Sequence, residues 1–181
     1  MFLVEAEISE MLGLLCYIDY RTAQNVSDKI RMKRIFKEMG VLTTDYVETD
    51  YLDIEAISHL HYPLVVKPVD AYSSRGRKAE NVDELKLYYA EAQRISWSGG
   101  VVVEEYFSGD EISVDVFGVN GKAKILTVSN SEKVKDNDRF VIFRSRYPVT
   151  ASDVVLKKIE DIVQKIADGF GLVNAPLLIQ L

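Results

Sequence analysis

Apolar residues recur at helical spacing in several separate segments of the chain. The spacing predicts helices over 5–15, 28–39, 53–61, 82–95 and 153–170. Ser27 is the expected N-cap of the second helix and Gly40 its stop signal, while Ser152 is the expected cap of the last one. The helices are therefore spread along the whole chain, with other elements between them.

Short apolar runs and alternating segments predict strands between these helices. The expected strands lie within 41–51 and at 64–67, 101–107, 111–117, 123–128, 139–147 and 177–179. Residues 70–77 are expected to form a loop. Asn120-Gly121 is a strong hairpin signal that joins two of the strands. Strands outnumber helices in the second half of the chain.

This order of elements predicts an α+β fold. Strand, helix and strand follow one another from about Val47 to Tyr106, which indicates a small βαβ lobe; a largely antiparallel sheet lobe with packed helices follows. We expect three regions: a helical lead-in over 1–46, the small lobe over 47–106 and the second lobe over 107–181.

Composition and charge narrow the classes of function. The chain has 181 residues, of which 48% are hydrophobic, so it can bury a substantial core. A formal charge of −6 and a pI near 5.0 argue against coating nucleic acid or an anionic membrane, both of which need a basic excess. The expected partner is a small molecule or another protein.

Cysteine content and the N-terminal segment indicate a soluble cytoplasmic protein. Cys16 is the single cysteine, so no internal disulfide can form. No segment reaches the roughly 18 apolar residues of a membrane-spanning helix. Glu5, Glu7 and Glu10 stand where a signal peptide would carry basic residues.

Lys67 ends an apolar run and is followed by a polar loop. Ser73, Ser74, Arg75 and Gly76 offer hydroxyls, backbone N–H groups and a guanidinium, which suit phosphate oxygens. The spacing is neither that of a Walker loop nor that of a dinucleotide-binding motif. A surface lysine with no such role stays an alternative.

Four separated pieces together resemble the ATP-grasp superfamily, in the order that the family has them. They are the Asp28-Lys29 helix start, PLVVKP with its DAYSSRG loop, VVVEEYFSGDEISVDVF, and the closing GLVNAPLLIQL. The resemblance is strongest to carbamoyl-phosphate-synthase-like and carboxylate-amine-ligase-like members. It implies a fragment that lacks most of an N-terminal domain and a C-terminal strand with an E-x-N pattern.

The resemblance implies an ATP site between the two lobes. Lys67, and with it Lys29, would reach the nucleotide phosphates, although for Lys29 a solvated lysine in a first helical turn is an equal alternative. The hinge would hold adenine through its backbone and an apolar side chain. Its residues are Glu104, Glu105, Tyr106 and Phe107.

Two further residues complete the site that the resemblance implies. Glu111 would accept hydrogen bonds from the ribose hydroxyls, and Gln180 would be a ligand of Mg²⁺. The alternative without a binding role is that EEYFSGDE forms an acidic strand end and a turn. A single amide is a weak magnesium site, because Mg²⁺ prefers carboxylates and phosphate oxygens.

The implied activity is that of an ATP-grasp ligase with ATP and Mg²⁺ as cofactors. Such an enzyme converts a carboxylate or bicarbonate into an acylphosphate, which an amine or another nucleophile attacks. The alternative is a catalytically incomplete nucleotide-binding, structural or regulatory module. An unpaired strand edge at Leu181 would favour association into a homo-oligomer.

Charged residues near the end of the second lobe have no assigned role. Residues 132–139 form a mixed charge run that is typical of a solvated turn. Arg144 and Arg146 alternate on an expected strand and share one face. They could bind a phosphate or a carboxylate, or could pair with acidic residues across the sheet.

Overall fold

The computed structural model describes residues 2–71, 75–134 and 140–181. The helices are α1 Phe2–Leu12, α2 Tyr20–Ser27, α3 Lys29–Glu38, α4 Ile54–Ile57, α5 Val82–Ile95 and α6 Asp153–Gly169. The strands are β1 Tyr46–Thr49, β2 Leu64–Pro68, β3 Arg77–Ala79, β4 Val101–Glu105, β5 Glu111–Val119, β6 Lys122–Lys133, β7 Ile142–Arg146 and β8 Pro176–Gln180. No helix within these ranges is long and apolar enough to cross a membrane.

The first sheet has the strand order β1-β4-β2-β3, and neighbouring strands run antiparallel. Helix α5 covers one face of this sheet. Its Leu85 and Tyr89 join Leu64, Val66 and Val103 in a buried cluster. The helix begins where the Asn81 side chain caps the backbone N–H groups of its first turn.

The βαβ prediction for this lobe is wrong in one respect. The order of strand, helix and strand is present, but β2 and β4 are antiparallel neighbours rather than parallel ones. The reason is β3, of which Arg77 was expected to be loop and Lys78 and Ala79 were assigned to no element. It pairs Ala79 with Leu64 and so reverses the chain before α5 begins.

The second sheet has the order β7-β6-β5-β8, again with antiparallel neighbours. Helix α6 packs on one face, where Val163 and Ile166 join Val114 and Ile179 in the core. The hairpin expected at Asn120-Gly121 is confirmed, because both residues have positive φ and connect β5 to β6. The expected α+β class is confirmed, whereas the division at 46 and 106 stays a prediction.

Helix α3 contacts the cores of both sheets. Ile30 packs with Val69 and Val102 of the first lobe, whereas Phe36 and Met39 pack on the α6 core. This helix therefore lies at the junction between the two sheets, and its Lys33 side chain is buried there.

The caps of α3 differ partly from those expected. Asp28, rather than Ser27, is the N-cap, because its carboxylate accepts hydrogen bonds from the N–H groups of Ile30 and Arg31. Ser27 instead ends the short helix α2, which the sequence pattern did not predict. Gly40 has a φ of 63° and ends α3 as expected.

Candidate functional site

Glu104 is a buried carboxylate between two lysines. It lies on β4 and is only 6% exposed. Lys67, on the neighbouring strand β2, donates a hydrogen bond to its Oε1 atom. Lys33, on α3, places its Nζ atom 2.7 Å from the Oε2 atom. The carboxylate thus joins the first sheet to helix α3.

Lys33 is held by further polar contacts. Its ammonium donates to the hydroxyls of Thr43, at 2.8 Å, and of Thr44, at 3.0 Å. The Thr44 hydroxyl in turn donates to Oε2 of Glu104, and the Tyr46 ring lies 4.9 Å from the Lys33 Nζ atom. These contacts compensate for the desolvation of a buried ammonium.

The two lysines keep Glu104 ionised. Burial by itself would raise the pKa of the Glu104 carboxyl, but Lys67 and Lys33 together lower it below its usual value. One carboxylate between two ammonium groups leaves a net positive charge. The cluster therefore favours an anionic ligand.

Lys29 lies against the segment that follows β2. Its Nζ atom donates to the carbonyl of Ala71 at 2.8 Å and approaches that of Val69 at 3.4 Å. Burial lowers the pKa of this ammonium, and the nearby Lys67 ammonium lowers it further. Lys29 is therefore not the solvated first-turn lysine of the alternative, and it adds to the positive charge near Lys67.

The polar loop after β2 lies only partly within the described residues. Ser73 and Ser74 fall outside them. Arg75 is exposed, and Gly76 is buried against the stem of Lys67. A Cβ atom on Gly76 would lie 3.2 Å from Lys67 Cγ and 3.3 Å from Lys67 Cε, so with a larger residue the lysine stem would have to shift slightly.

Asp70 fixes the start of this loop. Its carboxylate accepts hydrogen bonds from the Ser96 hydroxyl at 2.8 Å and from the N–H groups of Trp97 at 2.9 Å and Ser98 at 2.8 Å. Burial opposes ionisation, but these hydrogen bonds lower the pKa of Asp70 overall. The turn after α5 thereby holds the chain beside Lys29.

The expected hinge consists of the last two residues of β4, Glu104 and Glu105, and the two residues that follow. The N–H groups of Glu105 and Tyr106 donate to the carbonyls of Asp45 and Pro63. Within the described ranges no residue accepts a hydrogen bond from the Phe107 N–H, and the Phe107 side chain is 80% exposed. The Phe107 N–H is the hinge donor with which a purine edge could pair.

The Glu105 side chain faces away from the lysine cluster. It accepts hydrogen bonds from the backbone N–H of His61 at 2.9 Å and contacts the His61 ring at 2.8 Å. The Glu105 carboxylate is therefore paired at the hinge and does not add to the charge of the lysine cluster.

Glu111, Lys133 and Gln180 meet on the second sheet. Lys133 Nζ lies 2.6 Å from Glu111 Oε2, and the Gln180 amide donates to Glu111 Oε1 at 3.3 Å. Strand β5 carries Glu111 between β6, which carries Lys133, and β8, which carries Gln180. Lys133 lies at the end of β6 and not in the solvated turn expected for the charge run.

Phe140 connects the two groups of residues. Its ring stacks on Tyr106 with centroids 6.1 Å apart, and Lys133 lies 5.3 Å from its centroid. A Cβ atom on Gly76 would be 3.4 Å from the same ring. Continuous contacts thus run from Lys67 through Gly76 and Phe140 to the Lys133–Glu111 pair, which brings the expected site residues of both sheets to one junction.

Gln180 and Glu111 supply oxygen atoms at this junction. Among the described residues no group of three or more His, Cys, Asp or Glu side chains could hold a metal ion. Mg²⁺ commonly keeps several water or phosphate ligands beside one or two from the protein. The Gln180 amide oxygen therefore fits Mg²⁺ in the company of phosphate groups, whereas both carboxylate oxygens of Glu111 already contact Lys133 and Gln180.

Arg144 and Arg146 lie on the opposite face of the second sheet. Both guanidinium groups pair with Glu132, which stands next to Lys133 on β6 and so points the other way. Of the two alternatives for these arginines, pairing across the sheet is the one that the structure shows.

Sequence reasoning missed Lys33, Asp70 and Phe140. A signal existed for Lys33, which lies four residues after Lys29 and so on the same helical face. Nothing in the local sequence of Asp70 or Phe140 indicates their contacts, since these come from segments far away in the chain.

The fold is that of the ATP-grasp ligases. The structure of an L-amino acid ligase from Bacillus licheniformis matches 97% of this chain with a TM-score of 0.77 and 20% identity. That of the VanG D-Ala:D-Ser ligase from Enterococcus faecalis matches 97% with a TM-score of 0.81 and 21% identity. At such identities the similarity is one of fold.

The chain belongs to the family described as D-ala D-ala ligase C-terminus, which matches residues 35–168. It is 28% identical to the D-alanine--D-alanine ligase of Actinobacillus succinogenes over 83% of this chain and 51% of the relative. It is 31% identical to the carbamoyl-phosphate synthase of Methanobrevibacter smithii over 56% of this chain and 26% of the relative. The chain thus spans about half of the first of these relatives and a quarter of the second.

Proposed function

We propose that this chain is the ATP-binding core of a ligase that activates a carboxylate or bicarbonate as an acylphosphate. An amine or another nucleophile would then displace phosphate. The single observation that carries the proposal is the pair of Lys67 and Lys33 on one buried carboxylate, with Lys29 near Lys67 and the Glu111–Lys133–Gln180 group at the same junction.

The positive charge supports binding of the nucleotide phosphates. Lys67 and Lys29 would contact the phosphate oxygens, because ammonium groups form strong charge-assisted hydrogen bonds with them. Lys133 would approach from the second sheet. These groups would offset the charge that gathers on the transferred phosphoryl oxygens. Gln180 would help to hold Mg²⁺ together with the phosphate groups, and the ion would supply further positive charge beside them.

The hinge supports binding of the base. The Phe107 N–H would donate a hydrogen bond to the edge of a purine base. The Tyr106–Phe140 stack would provide an apolar surface near the base. Glu111 lies where it could accept from the ribose hydroxyls once its contact with Lys133 opens.

The acceptor is proposed only as a class. The names of the relatives refer to D-alanine, D-serine, L-amino acids and carbamoyl phosphate. A carboxylate acceptor with an amine as nucleophile is the chemistry that the ligases among them share, and we propose it for this chain.

A second candidate is a nucleotide-binding module without ligase activity. Lys67, Lys33 and Lys29 form a positively charged group that would serve nucleotide binding alone equally well, which favours this candidate. ATP-dependent phosphate release in the presence of D-alanine, other amino acids or bicarbonate distinguishes the two. Release that depends on one acceptor supports a ligase, whereas ATP binding without any release supports the module.

A further inference from the structure

We propose that Lys33 is a positioning residue. It remains as the counter-charge of the buried Glu104 carboxylate, so that Lys67 can leave this carboxylate and bind the nucleotide phosphates. This inference rests on the proposed function. Lys33 itself would touch neither the nucleotide nor the acceptor, and it would act through Glu104 and Lys67.

The two lysines bind different oxygen atoms of one carboxylate. Lys67 donates to Oε1 of Glu104, whereas Lys33 and Thr44 contact Oε2. When Lys67 leaves Oε1, the Oε2 atom therefore keeps its contacts with Lys33 and Thr44. Without Lys33 the same departure would leave a buried charge with no counter-charge, which is strongly unfavourable.

The two lysines also differ in how firmly they are held. The Lys33 side chain is 10% exposed and is fixed by the hydroxyls of Thr43 and Thr44, whereas the Lys67 side chain is 32% exposed. The stem of Lys67 lies along Gly76, at the junction where the phosphates are proposed to bind. Lys33 is thus the permanent partner of Glu104, and Lys67 is the exchangeable one.

Lys29 adds a reason for Lys67 to move towards an anion. The two ammonium groups repel each other, since Lys67 disfavours the charged form of Lys29. A phosphate group that contacts both would remove this repulsion. Glu104 cannot remove this repulsion, because its negative charge is already balanced by the ammonium of Lys33.

The test compares ATP with adenosine as ligands of the Lys33→Met variant. Adenosine has no phosphate and does not require Lys67 to leave Glu104. We expect ATP to bind about tenfold or more weakly than to the wild type, with adenosine affinity within about threefold, by calorimetric titration. An unchanged ATP affinity, or an equal loss for both ligands, would overturn the inference. The Lys158→Met variant, on the exposed face of α6, is the matched control.

A double variant provides the test if Lys33→Met does not fold. In Glu104→Gln the carboxylate charge is absent, so Lys33 is no longer needed to free Lys67. Adding Lys33→Met to Glu104→Gln should then change ATP affinity by less than about threefold. A further tenfold loss would show that Lys33 acts by another route. Absence of ATP binding to the wild type would instead refute the proposed function itself.

Discussion

Lys67 and Glu104 form an ion pair that crosses diagonally between two neighbouring strands of the first sheet. Lys67 lies opposite Val102 in the ladder, and Glu104 lies opposite Val65. The backbone pairing of β2 and β4 therefore sets the position of both charges. Helix α3 adds Lys33 from the other side, so the charge balance of the site depends on the packing of α3 against this sheet.

Glu104 should make the stability of the fold depend on pH. Its pKa in the folded chain lies below the value of about 4.3 for an unperturbed Glu. The ionised form is favoured by folding, so this stabilisation is present above that value and is lost as the pH falls through the lowered pKa. Urea unfolding should show a steeper loss of stability below about pH 4.3 for the wild type than for Glu104→Gln. Parallel profiles for the two proteins would contradict this, and Glu160→Gln on the exposed face of α6 is the control.

Asp70 should be required for the position of the loop after β2. In Asp70→Asn an amide NH₂ group would face a backbone N–H or the Ser96 hydroxyl, and at least one of the three accepted hydrogen bonds would be lost. We expect a loss of about 1–2 kcal/mol in the free energy of unfolding, measured with urea. Asp161→Asn, at an exposed position of α6, should have almost no effect. Equal stability of the two variants would argue against an anchoring role for Asp70.

Gly169 should be needed for the contact between α3 and α6. A Cβ atom there would lie 2.6 Å from Met39 Cγ and 2.9 Å from Ile35 Cγ2, so one of these side chains must shift. We expect Gly169→Ala to lower the free energy of unfolding by about 1–3 kcal/mol. Lys165→Ala, on the exposed side of the same helix, is the control. An increase in stability for Gly169→Ala would show that the helices separate without cost.

Gln180 should contribute to the effect of Mg²⁺ on nucleotide binding. Its amide donates to Glu111, which leaves its carbonyl oxygen as the group that could bind a cation. We expect Gln180→Leu to reduce the gain in ATP affinity that Mg²⁺ produces, with little change in affinity without Mg²⁺. Leu178→Ala, on the same strand, is the control. An unchanged Mg²⁺ effect would remove Gln180 from the proposed site.

The features that the sequence predicts well are those with local causes. Helix α5 has the bounds expected from its apolar spacing, because Asn81 caps its start within the same segment. The Asn120-Gly121 hairpin follows from two residues that tolerate positive φ. Lys67 could likewise be assigned to the end of a buried strand, since its apolar neighbours and the following loop are adjacent in the chain.

The features that the sequence did not predict depend on contacts between distant segments. Strand β3 has three residues and exists because Ala79 pairs with Leu64, so no periodic pattern marks it. The role of Glu104 as a buried counter-charge depends on Lys33, which lies on a helix far from it in the chain. Phe140 contacts the hinge only after β6 and β7 have brought it there.

Nucleotide binding by Lys67 is the central claim, and calorimetric titration with Mg-ATP tests it most directly. We expect the wild type and the Lys158→Met control to bind Mg-ATP with similar affinity, and Lys67→Met to bind it at least about tenfold more weakly. Circular dichroism of the variants establishes that each is folded. Equal affinity of the folded Lys67→Met variant and the wild type, or no binding by the wild type, would contradict the account.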